Sequence, residues 1–225
     1  MEKLSKVITI DGMNGVGKST LSKSLAKKLS FINFSTGSVY RSLALIANRR
    51  GISPYDVNKL ISTLEHMEYQ HKVIDDKDII IIDGEDVTEA IHDDKLAQFS
   101  SLMSPNRDLR NSVKVIQRNF AKDNDIVIDG RDLGVKVFPD ANAKILLTAT
   151  LEERASRRSK ENGEPFDDVL QYFQKIDARL CKGVYVPPED AFHIDTTRMS
   201  PDEILTDALN YCKPRIFDNF KDVLL

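Results

Sequence analysis

The stretch Val7-Ile8-Thr9-Ile10-Asp11-Gly12-Met13-Asn14-Gly15-Val16-Gly17-Lys18-Ser19-Thr20 decides how the rest of the chain is read. Its first four residues are a β-branched run that stops at Asp11-Gly12. From Gly17 onward Leu21, Leu25, Ala26 and Leu29 fall at helical spacing. The order is strand, glycine loop, helix, and residues 12–19 match G-x-x-x-x-G-K-[ST] in the context that this motif requires. Glycines let the backbone curl so that successive N–H groups point inward at phosphate oxygens, and the helix N-terminus adds partial positive charge. ATP is therefore expected on Gly12, Asn14, Gly15, Val16, Gly17, Lys18, Ser19 and Thr20. Lys18 would neutralise β/γ oxygens, and the Ser19 hydroxyl would join the shell of a nucleotide-borne Mg²⁺. A chance match on a glycine-rich turn is the bland alternative, and the flanking strand and helix speak against it.

Two further apolar runs, Ile126-Val127-Ile128 and Ile145-Leu146-Leu147, are bounded by polar residues and followed by charged helical sequence. The alternation predicts a buried parallel sheet with helices on both faces, a P-loop NTPase-type three-layer α/β core. A last strand, Ala191-Phe192-His193-Ile194-Asp195, precedes a helix whose start is marked by Ser200-Pro201-Asp202-Glu203. Two segments break the alternation. Residues 70–83 read strand, Asp75-Asp76-Lys77-Asp78, strand, a hairpin and so a small antiparallel insert. Residues 154–183 are charge-dense and carry the turn Asn162-Gly163-Glu164-Pro165 between two helical stretches, which suits a helical lid. The chain is read as one domain over residues 1–225: core about 1–63, 96–155 and 185–225, insert about 64–95, lid about 156–184.

The bulk numbers bound the function. At 225 residues with 41% hydrophobic and 30% charged side chains, the chain is ordinary for a soluble enzyme with one core. A formal charge of −3 gives no global positive field, so neither long nucleic acid nor an anionic membrane is expected as a partner. The charged Met1 to Lys6 stretch runs straight into the first strand, and the expectation is a cytoplasmic protein with no signal peptide. Cys181 and Cys212 fit no metal or disulfide spacing, and His66, His71, His92 and His193 share no pattern, so all are read as structural or surface residues. The helix patterns demand no apolar interface, and a monomer is expected.

A phosphate loop alone does not name the reaction. A GTPase would show D-x-x-G and N-K-x-D, yet no aspartate stands three before a glycine, and Asn58-Lys59-Leu60-Ile61 lacks the final acid. A motor or AAA-type ATPase would end an apolar strand in Asp-Glu, whereas Ile126-Val127-Ile128 ends in Asp129-Gly130. Asp129 could still hold Mg²⁺ through water. Transfer to a second bound substrate is the better reading, and such a kinase needs arginines that clamp the phosphates. Arg41, Arg110, Arg118 and Arg131 are candidates, with Lys18, Arg131 and Arg41 as the catalytic set. Arg41 ends Thr36-Gly37-Ser38-Val39-Tyr40-Arg41 at a loop-to-helix junction, and Arg131 lies just beyond the carboxyl end of a core strand, where open α/β sheets bind ligands. The run Glu152-Glu153-Arg154-Ala155-Ser156-Arg157-Arg158 has two open readings: salt bridges at i,i+4, or arginines such as Arg157 that swing over ATP when a lid closes.

Taken together, these residues resemble the bacterial-type cytidylate kinases. The resemblance is carried by Ile8-Thr9-Ile10-Asp11-Gly12, the Thr36 to Arg41 hexapeptide, Asp83-Gly84-Glu85-Asp86-Val87-Thr88, Gln117-Arg118, Asp129-Gly130-Arg131-Asp132-Leu133-Gly134, Val137-Phe138-Pro139-Asp140 and Glu152-Glu153-Arg154. It implies phosphoryl transfer from Mg·ATP to CMP or dCMP, with the hairpin as a monophosphate-side insert. It further implies an acceptor site at Thr36, Tyr40, Arg41, Ser101, Arg110, Arg131 and Asp132, in which Tyr40, Arg41 and Arg131 hold the phosphate and Ser101, Arg110 and Asp132 read the cytosine edge.

The lid departs from the family pattern R-D-x-x-D-x-x-R. The corresponding stretch reads Ile176-Asp177-Ala178-Arg179-Leu180-Cys181-Lys182-Gly183, without both arginine positions and the sugar-side aspartate. Lys175 or Lys182 could act as point charges, although lysine does not reproduce a bidentate arginine fork. Three outcomes stay open from sequence: an ordinary CMP kinase with compensating lysines, a kinase for a modified nucleotide or other small acceptor, or a nucleotide-binding regulatory protein with poor turnover.

Overall fold

The structure is a computed structural model, and it describes residues 5–74, 77–181 and 185–217. Its helices and strands group into two units, residues 1–33 with 124–225, and residues 34–123.

In the first unit, β1 (Val7–Gly12) is the centre of a five-stranded sheet ordered β2-β6-β1-β7-β8, with β2 at Ile32–Ser35, β6 at Ile126–Gly130, β7 at Ala143–Thr148 and β8 at Phe192–Asp195. β1 runs parallel to both neighbours, and β8 parallel to β7. Every residue of β1 is buried, which is why the strand reads as a continuous apolar run and not as an alternation. Ile8, Ile10, Ile145, Leu147 and Ile194 pack with Leu21, Leu25 and Leu29 of α1 (Lys18–Leu29) and with Ile204, Ala208, Cys212 and Ile216 of α8 (Pro201–Ile216). The four α8 residues recur every fourth position, one stripe of a helix. Burial in that stripe pushes the Cys212 thiol up to about 12, so it behaves as a small apolar group. The Ser200-Pro201-Asp202-Glu203 start is a full capping box: Ser200 Oγ accepts from the Glu203 N–H, and Glu203 accepts from the Ser200 N–H.

Helices α6 (Leu151–Asn162) and α7 (Phe166–Leu180) make a hairpin across the expected turn, where Gly163 is the left-handed C-cap of α6. A small separate core of Ala155, Val169 and Phe173 lies between them. Lys182 and Gly183 of the divergent lid stretch lie outside the described residues.

The second unit holds α2 (Thr36–Arg49), α3 (Val57–His66), α4 (Asp94–Met103) and α5 (Arg107–Asp123) around a three-stranded antiparallel sheet, β3 (Tyr69–Ile74), β4 (Lys77–Ile82) and β5 (Glu85–Asp86). The hairpin expected at 70–83 is the β3–β4 pair, with Tyr69 opposite Ile82 and Ile74 opposite Lys77. Asp75 and Asp76 at its tip lie outside the described residues. Phe34, Tyr69, His71 and Phe120 form an aromatic cluster with centroids 4.7–6.1 Å apart. His71 is a core residue there, bonded through Nε2 to Asp78 at 2.9 Å. Among the described residues no helix is long and apolar enough to cross a membrane.

Candidate active site

The register of the sheet places the phosphate loop. Asp11 stands beside Gly130 of β6 and Gly12 beside Leu147 of β7, so the loop leaves the sheet at the carboxyl ends of the three central strands. A side chain at Gly12 would put its Cβ 2.5 Å from the Leu147 carbonyl oxygen, so backbone alone fits. Gly15 has φ +77°, and a Cβ there would lie 3.0 Å from both Arg154 Cβ and Phe173 Cε2. The motif's glycines are thus demanded by left-handed conformation at Gly15 and Gly17, the latter with φ +93°, and by close approach at Gly12 and Gly15.

Lys18 opens α1 and turns back over the loop, its Nζ donating to the Met13 carbonyl at 2.7 Å. Burial pulls its ammonium down to about 8; Asp129 and Asp11 pull it back up, while Arg131 and Arg154 push it down. These cations and carboxylates therefore share one field at the loop. Arg131 donates from a terminal nitrogen to Asn14 Oδ1 at 2.8 Å, so the sequence-predicted clamp reaches the loop itself. Thr196, just after β8, has its hydroxyl 3.2 Å from the Val16 carbonyl.

Ser19 Oγ lies 3.3 Å from Asp129 Oδ2. A hydroxyl and a carboxylate side by side are the oxygen donors a hard divalent cation takes, and two protein oxygens leave most of an octahedral shell for phosphate and water. The pair fits a cation that arrives with a nucleotide.

Asp11 is a residue that sequence reading did not assign. It is fully buried, and its carboxylate accepts the N–H groups of Leu133 and Gly134, each at 2.8 Å. Those residues open a single π-helical turn, Leu133–Val137, directly after Arg131 and Asp132. Such turns recur at functional sites. Asp132 is nearly buried, and Lys136 stands 3.5 Å from it. The chain distance from Asp11 to its donors left no local signal.

The arginines of α6 divide. Arg157 Nε donates to Glu153 at 2.8 Å, the i,i+4 bridge read from sequence, and its terminal nitrogens reach the Thr196 hydroxyl and carbonyl. Arg158 pairs with Glu161 at 3.6 Å. Arg154 points inward instead, to the Asn14 carbonyl and to Asp177.

The other acceptor candidates belong to the second unit. Thr36 opens α2, where its hydroxyl receives Gln117 Nε2 at 3.0 Å; Tyr40 is buried one turn later. Arg41 lies close enough to Tyr69 to counter part of the effect of burial, which raises the phenol well above its usual range, as does Asp78. Ser101, on α4, donates to the Gln98 carbonyl at 2.8 Å. Arg110, on α5, reaches the Ser104 carbonyl at 3.4 Å. Each unit thus presents its own set, Arg131 and Asp132 in the first, Thr36, Tyr40, Arg41, Ser101 and Arg110 in the second.

Comparison with known proteins bears on the whole arrangement. The family model described as Cytidylate kinase matches residues 8–214. A cytidylate kinase of Caldicellulosiruptor bescii is 38% identical over 217 residues, covering 93% of this chain and 95% of that one. One from Vibrio vulnificus is 35% identical over 229 residues, covering 96% and 99%. In fold alone, the chain resembles a gluconokinase from Sinorhizobium meliloti, with a TM-score of 0.51 at 14% identity and 99% of both chains covered.

Proposed function

Because this chain belongs to the cytidylate kinase family, we propose that it transfers the γ-phosphoryl group of ATP to CMP or dCMP, giving ADP and the cytidine diphosphate. The observation that carries the reading is the family match over residues 8–214, and Lys18 and the Arg131–Asn14 contact at the phosphate loop support its ATP end. The bond between the γ-phosphorus and the β–γ bridging oxygen breaks, and a bond forms from that phosphorus to an oxygen of the acceptor phosphate. The protein's contribution is positioning and charge stabilisation.

Gly12, Asn14, Gly15, Val16, Gly17, Lys18, Ser19 and Thr20 bind ATP in this reading, with Arg157 swinging over its phosphates when the lid closes. Mg²⁺, held by Ser19 and by Asp129 through water, would neutralise phosphate charge. Lys18, although pulled down to about 8 by its burial, keeps its charge favoured at neutral pH, with Asp129 and Asp11 countering part of that pull. Arg131 and Arg41 clamp the acceptor phosphate beside Thr36 and Tyr40, and Ser101, Arg110 and Asp132 read the cytosine edge. Free thiols at Cys181 and Cys212 suit a cytoplasmic setting.

The test is a coupled ADP-release assay across CMP, dCMP, UMP, AMP and GMP. Turnover with CMP or dCMP is expected, and none with either would overturn the proposal. Arg131→Ala should lower kcat by about 10²–10³-fold, in the range for removing a transition-state charge. Full activity in that variant would remove Arg131 from the clamp.

A further inference from the structure

Helix α7 buries Val169, Phe173 and Leu180 on one stripe, and Asp177 lies on that stripe too, four residues after Phe173. An acid in a buried helical stripe is costly unless it is paired. Its partner is Arg154 of α6: one terminal nitrogen is 2.6 Å from Asp177 Oδ2 and the other 3.3 Å from Oδ1, a two-pronged fork. Both side chains are withdrawn from water, at 6% exposure for Arg154 and 20% for Asp177. The nitrogen facing Oδ1 also donates to the Asn14 carbonyl at 3.1 Å. The guanidinium lies 5.6 Å from the Phe173 ring centre, and the edge of that ring would come within 3.0 Å of a Cβ at Gly15.

The direction of one carbonyl matters here. In a trans peptide the Asn14 C=O and the Gly15 N–H lie in one plane and point in opposite directions within it. Holding the Asn14 oxygen outward on Arg154 therefore turns the Gly15 N–H the other way, as a loop that cradles phosphate with its amides requires.

We propose that α7 is a brace for the phosphate loop, with Asp177 and Phe173 as positioning residues that hold Arg154 against the Asn14 carbonyl. The proposal rests on the phosphoryl-transfer reading only for the identity of the nucleotide. Arg154 lies over the first half of the loop, and Arg131 reaches the Asn14 side chain, so a single residue is gripped through both its main chain and its amide. A carboxylate that orients an arginine from behind confines its fork to one geometry, whereas a solvated arginine would sample many. The divergent lid is thereby given a task at the ATP end of the reaction.

Asp177→Asn keeps the shape and removes the charge, and Phe173→Leu keeps an apolar contact and removes the ring. Binding of a non-hydrolysable ATP analogue is titrated without acceptor, so the brace can be read even if CMP is not turned over. Steady-state KM values for ATP and CMP are measured beside it. The expected result is a loss of analogue affinity of about ten-fold in each variant, with a matching rise in the KM for ATP and the KM for CMP within two-fold. General damage to the fold would move both KM values together. Equal losses at the two ends, a change confined to CMP, or unchanged affinity for the analogue would each overturn the proposal.

Discussion

Asp11 shows how one buried carboxylate can tie together two distant segments beside the phosphate loop. Its two N–H donors come from 122 and 123 residues further along the chain, so the sequence offered Asp11 only as the end of a strand. By contrast Lys18, Ser19 and the glycines were legible because the loop is local and its φ and spacing demands are written in consecutive residues. Burial raises the Asp11 carboxyl to about 6, with the Gly134 and Leu133 N–H groups pulling it down and Asp132 pushing it up. Between the ordinary value of 3.8 and about 6 the folded state holds a proton that the unfolded chain has released. Stability from this group is therefore full below about 3.8 and is lost as pH rises through about 6. Wild type should gain on the order of 2–3 kcal/mol relative to Asp11→Asn as pH falls from 7 to 4, read by urea unfolding at fixed pH. A pH-independent difference would show that Asp11 does not take up that proton.

At the scale of elements, β1, β6 and β7 were visible as apolar runs, since strands buried on both faces leave no polar alternation, whereas the edge strand β8 showed itself by alternation, Phe192 and Ile194 against the exposed His193 and Asp195. β2 was not: it has four residues, follows the left-handed Ser30 cap, and includes Asn33, a polar residue whose burial depends on its bond to Ser22. Asp177 was read as the remnant of a lost lid pattern. The i,i+4 stripe from Val169 through Phe173 was the available signal that it faced inward. The start of α8 is the opposite case, where sequence named the element and the structure supplied both reciprocal bonds. Because α8 carries Ile204, Ala208, Cys212 and Ile216 into the core of the first unit, its cap should bear on global stability. Ser200→Ala should cost about 1 kcal/mol, lowering the urea midpoint with the slope unchanged. A midpoint equal to wild type would mean that the helix start is held by its core stripe alone.

For the whole molecule, the ATP end and much of the acceptor end are built by different means. Apart from Arg157 on α6, the residues proposed to bind ATP come from one continuous stretch in the first unit, so pattern and mechanism coincide there. The acceptor candidates of the second unit come from α2, α4 and α5, whose periodicities describe amphipathic helices and say nothing about which polar residues share a ligand; only family resemblance pointed to Ser101 and gave Arg110, already a candidate clamp, a part in reading cytosine. This division makes a separable prediction. Arg110 lies in the unit that contains no phosphate loop, so Arg110→Ala should raise the KM for CMP about ten- to a hundred-fold, the value of a charged hydrogen bond or two. Affinity for the non-hydrolysable ATP analogue should stay within two-fold of wild type. Asp177→Asn should give the reverse pattern, and together the two variants would assign the two ends of the reaction to different parts of the chain. Loss of analogue binding in Arg110→Ala would refute that assignment, because a residue that only reads cytosine has no interaction free energy to contribute before the acceptor arrives.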